Sequence, residues 1–345
     1  MPLSRPTISL RWIWRGLFVV GLLMIIGACS SNGQSYSSTA SPLKAVLPGQ
    51  KIWKQNVSSF LFGTNDTYEW SDNNIQTQPA IQYALRSGGF TLIRTFFPDK
   101  GSDTDITKRV ETIEKSGARC LGVITNISNV PFDEHLVSFL GSRCLLYEFG
   151  NESDWNDISV QTYLQQWNTV IPLLRKINPS AKFIGPVNSN ALGNNDFMQN
   201  FLEGVKASGV LPDAVSFHWY PCYQNTEAVC LSNADTAGQA VESVRSLVQS
   251  ILHKDLPIGI TEWNFDPDNP PPAYGDGAQF MTKFTTVALQ SMIQAGVAFA
   301  CQFDAASYAG YGHLDMFNVA TNAPKPQYYA ITNIIKEYSP SATQK

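Results

Sequence analysis

The feature that most constrains the fold of this chain is a regular alternation of short apolar runs with helical stretches, beginning near Lys51. Each run is followed by a segment in which apolar residues recur at the spacing of an amphipathic helix. The predicted strands, in chain order, are Ser59–Gly63, Phe90–Phe96, Arg119–Thr125, Cys144–Phe149, Lys182–Gly185, Ala214–Trp219, Ile258–Thr261 and Val297–Phe303. Eight strand–helix units in succession predict an α/β fold, a (β/α)8 TIM barrel in one domain over residues 51–345.

The main alternative is a doubly wound parallel sheet, which carries a glycine-rich phosphate-binding turn after its first strand. The first predicted strand here ends in Gly63-Thr64-Asn65-Asp66, which lacks the glycine spacing of such a turn. The barrel is therefore the favoured prediction.

The composition narrows the class of ligand. The chain of 345 residues has 24 Lys and Arg against 28 Asp and Glu, and charged residues make up only 15%. With a net charge of −4 there is no basic stripe, so we expect no nucleic-acid partner. Aromatic residues reach 12%, and 23 Asn supply uncharged hydrogen-bonding groups, a combination that suits a neutral, hydroxyl-rich ligand.

The N-terminal region has the features of an export signal. Arg5, Arg11 and Arg15 precede an apolar run from Gly16 to Ala28, which is short for a membrane span of about 20 residues. The following Ile26-Gly27-Ala28-Cys29 resembles a bacterial lipobox. This resemblance implies a lipoprotein signal peptide over residues 1–28, acylation of Cys29 and a Ser-rich tether over residues 29–50. The protein would then be exported and either held by its lipid at the extracellular face of the membrane or secreted. The alternative is an uncleaved anchor over residues 8–28.

The cysteines are consistent with export. Cys120 and Cys144 open neighbouring predicted strands at the same end, and parallel neighbours lie about 4.8 Å apart, within disulfide reach. Cys222 and Cys230 bracket a short loop that a disulfide could close. Cys301 is then expected to be buried and unpaired; the alternative is five reduced, buried thiols. No Cys-x-x-Cys pair occurs, which argues against a zinc ribbon or a redox dithiol.

Two carboxylates follow predicted strands at the end of the barrel where active sites form. Strand four continues into Leu146-Tyr147-Glu148-Phe149-Gly150-Asn151-Glu152, and strand seven into Thr261-Glu262-Trp263-Asn264. Three strand–helix units separate Glu152 from Glu262, so the two side chains can meet across one barrel mouth. Glu148 lies four residues deeper on strand four, and we expect it to be a buried structural carboxylate.

These residues resemble the motifs of glycoside hydrolase clan A, the retaining (β/α)8 glycosidases, in the style of families 39, 51 and 79. The resemblance implies that Glu152 is the general acid/base and that Glu262 is the nucleophile. It further implies that Asn151 binds the sugar 2-hydroxyl, that Arg94 orients Glu262, and that His218 and Tyr220 of strand six line the sugar site.

The resemblance implies a retaining glycosidase that cleaves a β-linked polysaccharide or oligosaccharide by double displacement. Retention requires carboxyl groups about 5–5.5 Å apart, against about 6.5–9.5 Å for inversion. Trp155, Trp219 and Trp263 follow strands at the mouth and are candidate sugar platforms, although aromatic residues also pack beneath loops. We expect a monomer and no cofactor. We also expect no catalytic metal, because the four His form no metal-binding motif.

Two other functions remain open at this point. A non-catalytic sugar-binding lipoprotein could use the same barrel, and it would bind sugars without turning them over. A barrel hydrolase acting on amides or phosphates would instead depend on a metal ion and lose activity to a chelator.

Overall fold

The computed structural model describes residues 43–44, 46–66, 75–268, 270–307 and 312–340, and these form eight β-strands and nine α-helices. The predicted signal peptide and Cys29 lie outside the described residues. The strands are β1 Gly63–Asp66, β2 Leu92–Phe97, β3 Arg119–Ile124, β4 Cys144–Phe149, β5 Lys182–Ile184, β6 Val215–Trp219, β7 Ile258–Trp263 and β8 Phe299–Gln302. The helices are α1 Pro79–Gly88, α2 Asp103–Lys115, α3 Val130–Leu140, α4 Val160–Ile177, α5 Phe197–Ser208, α6 Glu227–Asn233, α7 Ala237–Leu252, α8 Ala278–Gln294 and α9 Pro326–Tyr338.

All paired strands run parallel, in the order β5-β4-β3-β2-β1-β8-β7-β6. Isolated parallel bridges join Ile184 to Ala214 and Asn188 to Phe217, and they bring β5 alongside β6. The sheet therefore curls into a nearly closed barrel with helices between successive strands. The predicted (β/α)8 TIM barrel is confirmed.

Helix boundaries follow local signals that the sequence carries. Ser159 caps α4 by accepting a hydrogen bond from the Thr162 amide, and Gly209 ends α5 in the left-handed conformation at φ 78°. The short helix α6 was not predicted, and it contains Cys230, which the disulfide links to Cys222 in the loop after β6. Among the described residues, none of the helices combines the length and apolar character that a membrane crossing requires.

The first strand lies further along the chain than predicted. Residues Ser59–Leu61 form a 3-10 turn, because the Ser58 hydroxyl accepts a hydrogen bond from the Phe60 amide and donates to the Ala298 carbonyl oxygen at 2.6 Å. The strand is instead the polar segment Gly63–Asp66, which is buried throughout. The shift carries Asn65 to the C-terminal end of the barrel, where the chemistry of this fold takes place.

The displaced apolar run closes the opposite end of the barrel. Phe60 packs there in a core cluster with Leu92, Leu121, Leu146 and Ile184. The cluster also includes Leu47, and the side chain of nearby Gln50 donates to Ser58 Oγ at 2.8 Å and to the Ala298 carbonyl oxygen at 3.1 Å. The last residues of the predicted tether are thus part of the folded barrel.

Two disulfides are present, as predicted. Cys120–Cys144 links paired positions of β3 and β4, and Cys222–Cys230 ties the loop after β6 to α6. Cys301 is buried and forms no disulfide within the described residues.

Phe60→Ala tests the role of the 3-10 turn as the floor of the barrel. Because the Phe60 side chain is 1% exposed, its removal leaves a cavity, and we expect a loss of about 3–5 kcal/mol in the free energy of unfolding, measured by urea denaturation. The control Phe139→Ala removes a ring on α3 that is 40% exposed, and it should cost less than about 1 kcal/mol. Equal costs for the two variants would contradict this role.

Candidate active site

A buried arginine organises the C-terminal end of the barrel. Arg94 points inward from β2 and has no exposed surface. Its Nε donates to Glu148 Oε2 at 2.5 Å, and its Nη1 donates to Glu262 Oε1 at 2.7 Å and to Asn65 Oδ1 at 3.0 Å. Its Nη2 donates to Asn151 Oδ1 at 2.6 Å. One guanidinium therefore fixes side chains from β1, β4 and β7 and from the loop after β4.

The guanidinium of Arg94 stays protonated because two carboxylates contact it. Burial alone would lower the pKa of Arg94, but the negative charges of Glu148 and Glu262 outweigh it and raise that pKa above its ordinary value. Glu148 is fully buried, and its second oxygen accepts a hydrogen bond from Ser216 Oγ at 2.6 Å. With both oxygens occupied, Glu148 is the structural counter-charge of Arg94, in agreement with the sequence-based expectation.

Glu262 lies at the C-terminal end of β7, and its side chain is held by two donors. Arg94 donates to Oε1, and the hydroxyl of Tyr220 donates to Oε2 at 3.0 Å. Burial, followed by the charge of Glu262, raises the pKa of Tyr220 well above its ordinary range, so Tyr220 remains a donor. With a donor on each oxygen, the carboxyl group of Glu262 is held in one orientation at the end of β7.

Glu152 is held differently, by a histidine and by an unusual backbone conformation. Its φ of 46° is left-handed, and its amide donates to the Val187 carbonyl oxygen at 2.9 Å, which turns the side chain over the barrel. Its Oε1 contacts Nδ1 of the fully buried His218 at 2.6 Å. A quarter of the Glu152 side chain remains exposed, so it can reach a molecule in the cleft.

Glu152 and His218 share a proton. Burial alone would lower the pKa of His218, but the charges of Glu262 and Glu152 raise it above its ordinary value. Burial alone would raise the pKa of Glu152, but the positive charge of His218 outweighs it and lowers that pKa. In the free protein the proton therefore resides mainly on His218, next to the carboxylate that can pass it on.

The two carboxylates face each other. Glu152, His218 and Glu262 each contribute an oxygen or nitrogen atom that lies within 4.8 Å of the other two. Such a cluster offers three ligand atoms to a divalent cation, but Arg94 already occupies one oxygen of Glu262 and carries a fixed positive charge there. The donor set is therefore better suited to an ionic network without metal than to a cation site.

A cleft of about 340 Å3 opens beside these groups, between the loops that follow β5 and β6. Its lining is Ser189, Asn190, Ala191, Leu192, His218, Trp219, Tyr220, Tyr223 and Ser243. The β5 loop is fixed to the loop that carries Glu152, because Asp154 accepts hydrogen bonds from Ser189 Oγ at 2.6 Å and from the Asn194 amide at 3.0 Å. The cleft is thus a preformed feature with polar and aromatic walls.

The structure gathers most of the predicted site residues around Arg94 and separates others from it. Asn151, Glu152, His218, Tyr220 and Glu262 all belong to the hydrogen-bonded group.

Two of the three predicted tryptophan platforms are corrected. Trp263 is 1% exposed and presents no ring face to a sugar. Trp219 lines the cleft, but it is only 7% exposed because its ring stacks on Phe284. Both strands place these indoles next to an inward-facing residue, and alternation along a strand therefore directs them toward the helices. Trp155 is 60% exposed, and its role as a platform stays a prediction.

Sequence reasoning missed Asn65 and Tyr223. Asn65 was missed because the first strand was placed too early, although the polar run Thr64-Asn65-Asp66 directly after an apolar segment was a usable signal. Tyr223 follows Cys222, and no spacing rule distinguishes it from other loop tyrosines.

A TIM barrel with a glutamate at the end of β7, an Asn-Glu pair after β4 and an arginine from β2 that contacts Glu262 and Asn151 has the arrangement of the clan A glycoside hydrolases. The family model described as "Glycosyl hydrolases family 39" matches residues 147–332, more than half of the chain. The chain therefore belongs to glycosyl hydrolase family 39, and it is a glycosidase whose substrate is a carbohydrate. A comparison with curated proteins returns no match.

Solved structures agree with this fold at low sequence identity. A glucosidase from Croceicoccus marinus is 16% identical over 80% of this chain and 67% of its own, with a TM-score of 0.60. A monomeric beta-xylosidase from Caulobacter crescentus CB15 is 15% identical over 80% and 68%, with a TM-score of 0.63. A family 51 alpha-L-arabinofuranosidase from Bifidobacterium longum is 12% identical over 80% and 73%, with a TM-score of 0.60.

The shared proton predicts a pH window for stability that His218→Gln should remove. The raised pKa of His218 contributes stability that is complete below the ordinary value of 6.5 and is lost as pH rises through the folded value. The lowered pKa of Glu152 contributes stability that is present above the ordinary value of 4.5 and is lost as pH falls through the folded value. The variant should therefore be most destabilised between pH 4.5 and 6.5.

Urea unfolding across about pH 3–9 measures this difference. His135→Gln is the matched control, because its half-exposed imidazole pairs with Asp103 on the surface and should contribute little at any pH. A difference between wild type and His218→Gln that kept growing above the window would contradict the shared-proton description.

Proposed function

We propose that this protein is a retaining glycosidase that cleaves β-linked oligosaccharides or polysaccharides, with Glu152 as general acid/base and Glu262 as nucleophile. The observation that carries the proposal is the approach of a carboxylate oxygen of Glu152 to within 4.8 Å of one of Glu262. So close an approach favours retention, in which the carboxyl groups are about 5–5.5 Å apart, over inversion, which needs about 6.5–9.5 Å to admit a water molecule.

In the first step Glu262 attacks the anomeric carbon as the bond to the leaving-group oxygen breaks. Glu152 delivers the proton that it shares with His218 to that oxygen, which leaves as a hydroxyl group. The product is a glycosyl ester on Glu262. In the second step Glu152 takes a proton from water, the hydroxide attacks the same carbon, and the carboxylate of Glu262 is released.

The side chains around Glu262 respond to the change in its charge during the reaction. Arg94 and Tyr220 hold both oxygens of Glu262 in place for attack and stabilise the carboxylate when it leaves. When Glu262 becomes an ester its negative charge disappears, so His218 loses part of the interaction that retains its proton. Asn151 accepts from Arg94 through Oδ1, an orientation that keeps its amide nitrogen available to donate to a sugar hydroxyl.

Two variants with azide separate the proposed roles. Glu262→Ala should lose at least about 10³-fold in kcat, and azide should restore turnover with an α-glycosyl azide as product. Glu152→Ala should lose about 10²–10⁴-fold on sugars with poor leaving groups, much less on dinitrophenyl glycosides, and give a β-glycosyl azide. The assay uses aryl β-xylosides and β-glucosides, chosen from the xylosidase and the glucosidase among the similar structures.

Glu203→Ala, which removes an exposed carboxylate on α5, is the control and should behave as wild type. Sugar binding without turnover across the panel would favour the non-catalytic binding protein. An inverted product, detected by proton NMR of the released sugar, would contradict the proposed mechanism, and inactivation by a chelator would favour the metal-dependent hydrolase.

We also propose that the chain is exported and anchored by a lipid on Cys29. The basic segment, the apolar run and the lipobox-like Ile26–Cys29 support this proposal, and the two disulfides are typical of an oxidising compartment. In a bacterial host, labelled palmitate should be incorporated into the wild type and not into Cys29→Ser, which should move to the soluble fraction. A mature N-terminus at another residue would contradict the proposal.

A further inference from the structure

Tyr223 occupies a distinctive position at the rim of the cleft. It lines the cleft together with His218 and Tyr220, and yet its side chain is 55% exposed. Its backbone is left-handed at φ 36°, a conformation that costs free energy for a residue with a Cβ. An exposed aromatic ring on a strained backbone contributes little to packing, which points to a role in binding.

The backbone on both sides of Tyr223 is held by a disulfide and by hydrogen bonds, whereas its ring is exposed. Cys222 before it is fully buried, is bonded to Cys230, and donates its amide to the Phe265 carbonyl oxygen at 3.0 Å. Gln224 after it donates its amide to Asp266 Oδ2 at 2.7 Å. The ring is therefore presented from a backbone that is fixed on both sides, so little conformational entropy is lost when a ligand packs on it.

Tyr223 lies on the side of the proposed general acid. The cleft that Tyr223 lines adjoins Glu152, because His218 lines the same cleft and its Nδ1 contacts Glu152 Oε1 at 2.6 Å. Partial burial, followed by the negative charge of Glu152, raises the pKa of Tyr223 to about 12, so the phenol is neutral. Because a general acid protonates the leaving-group oxygen, the leaving group must lie on the same side as Glu152.

The loop after β5 contributes hydrogen-bonding groups to the same cleft. Ser189 and Asn190 line it, next to Ala191 and Leu192, and Asp154 fixes Ser189 by accepting from its amide at 2.9 Å and from its hydroxyl at 2.6 Å. A cleft that combines an exposed aromatic ring with hydrogen-bonding groups matches a pyranose, which has apolar C–H faces and hydroxyl groups around its edge.

On the basis of the proposed function, we infer that Tyr223 is the stacking platform for the sugar that leaves. The enzyme is thereby selective for glycosidic bonds between two sugars, and the disulfide-closed loop after β6 determines that selectivity. Tyr223 acts on the bond-breaking step alone, because the leaving sugar has departed when water attacks the glycosyl ester.

The test compares a disaccharide with a glycosyl fluoride of the same sugar, whose leaving group has no ring to stack. The probes are xylobiose with β-xylosyl fluoride, or cellobiose with β-glucosyl fluoride, according to the aryl glycoside that the wild type prefers. Tyr223→Ala should lower the ratio of kcat/KM for the disaccharide to kcat/KM for the fluoride by about 3- to 10-fold. Tyr223→Phe keeps the ring and should restore the ratio to within about twofold of wild type.

Tyr83→Ala is the matched control, since it removes a tyrosine that is 72% exposed on α1 and should leave the ratio unchanged. A double variant, Cys222→Ala with Cys230→Ala, should lower the ratio in the same direction as Tyr223→Ala. Thermal unfolding of each variant separates this selectivity from a loss of fold.

The outcomes distinguish this inference from the function on which it rests. If the wild type cleaves both probes and Tyr223→Ala leaves the ratio unchanged, or lowers both rates equally, the inference is overturned and the glycosidase remains. If the wild type cleaves neither probe of either pair, the proposed function is overturned and this inference with it.

Discussion

The ionic contact of Arg94 with Glu148 and Glu262 is the constraint on which the rest of the site depends. A guanidinium without solvent exposure is costly to bury, and removing either carboxylate would leave an uncompensated charge in the barrel. The contact therefore fixes β2, β4 and β7 relative to one another at the end where the chemistry occurs. It also holds one oxygen of Glu262 at a fixed position, 2.7 Å from the guanidinium.

The two proposed catalytic carboxylates differ in how firmly they are held, and the difference matches their tasks. Glu262 has donors on both oxygens and stands on a strand, an arrangement suited to a nucleophile that must not move. Glu152 stands on a left-handed turn outside its strand, and its contact with His218 lets it lose and regain a proton. The charges around His218 hold the proton on that side chain, which contacts Glu152 at 2.6 Å.

Features that depend on a single local rule could be predicted from the sequence. Periodicity predicted eight strands, and the position of Glu152 and Glu262 after strands four and seven predicted their meeting. Prediction failed where tertiary contacts override local preference. The apolar Phe60 run reads as a strand, but Ser58 bonds it to Ala298, more than two hundred residues away. Trp263 looked like a sugar platform because it stands at the barrel mouth, but its position next to the inward-facing Glu262 directs its ring toward the helices.

The seam between β5 and β6 has a consequence for how such an enzyme can change. Among the described residues, only isolated bridges join these strands, and both loops that enclose the cleft leave the barrel beside this seam. The contacts of Arg94 lie instead mainly on strands that are joined to their neighbours by ladders of several residue pairs. Sequence changes at the seam can therefore alter which glycans bind with little cost to folding. Related barrels can in this way diverge in substrate specificity and keep the same reaction.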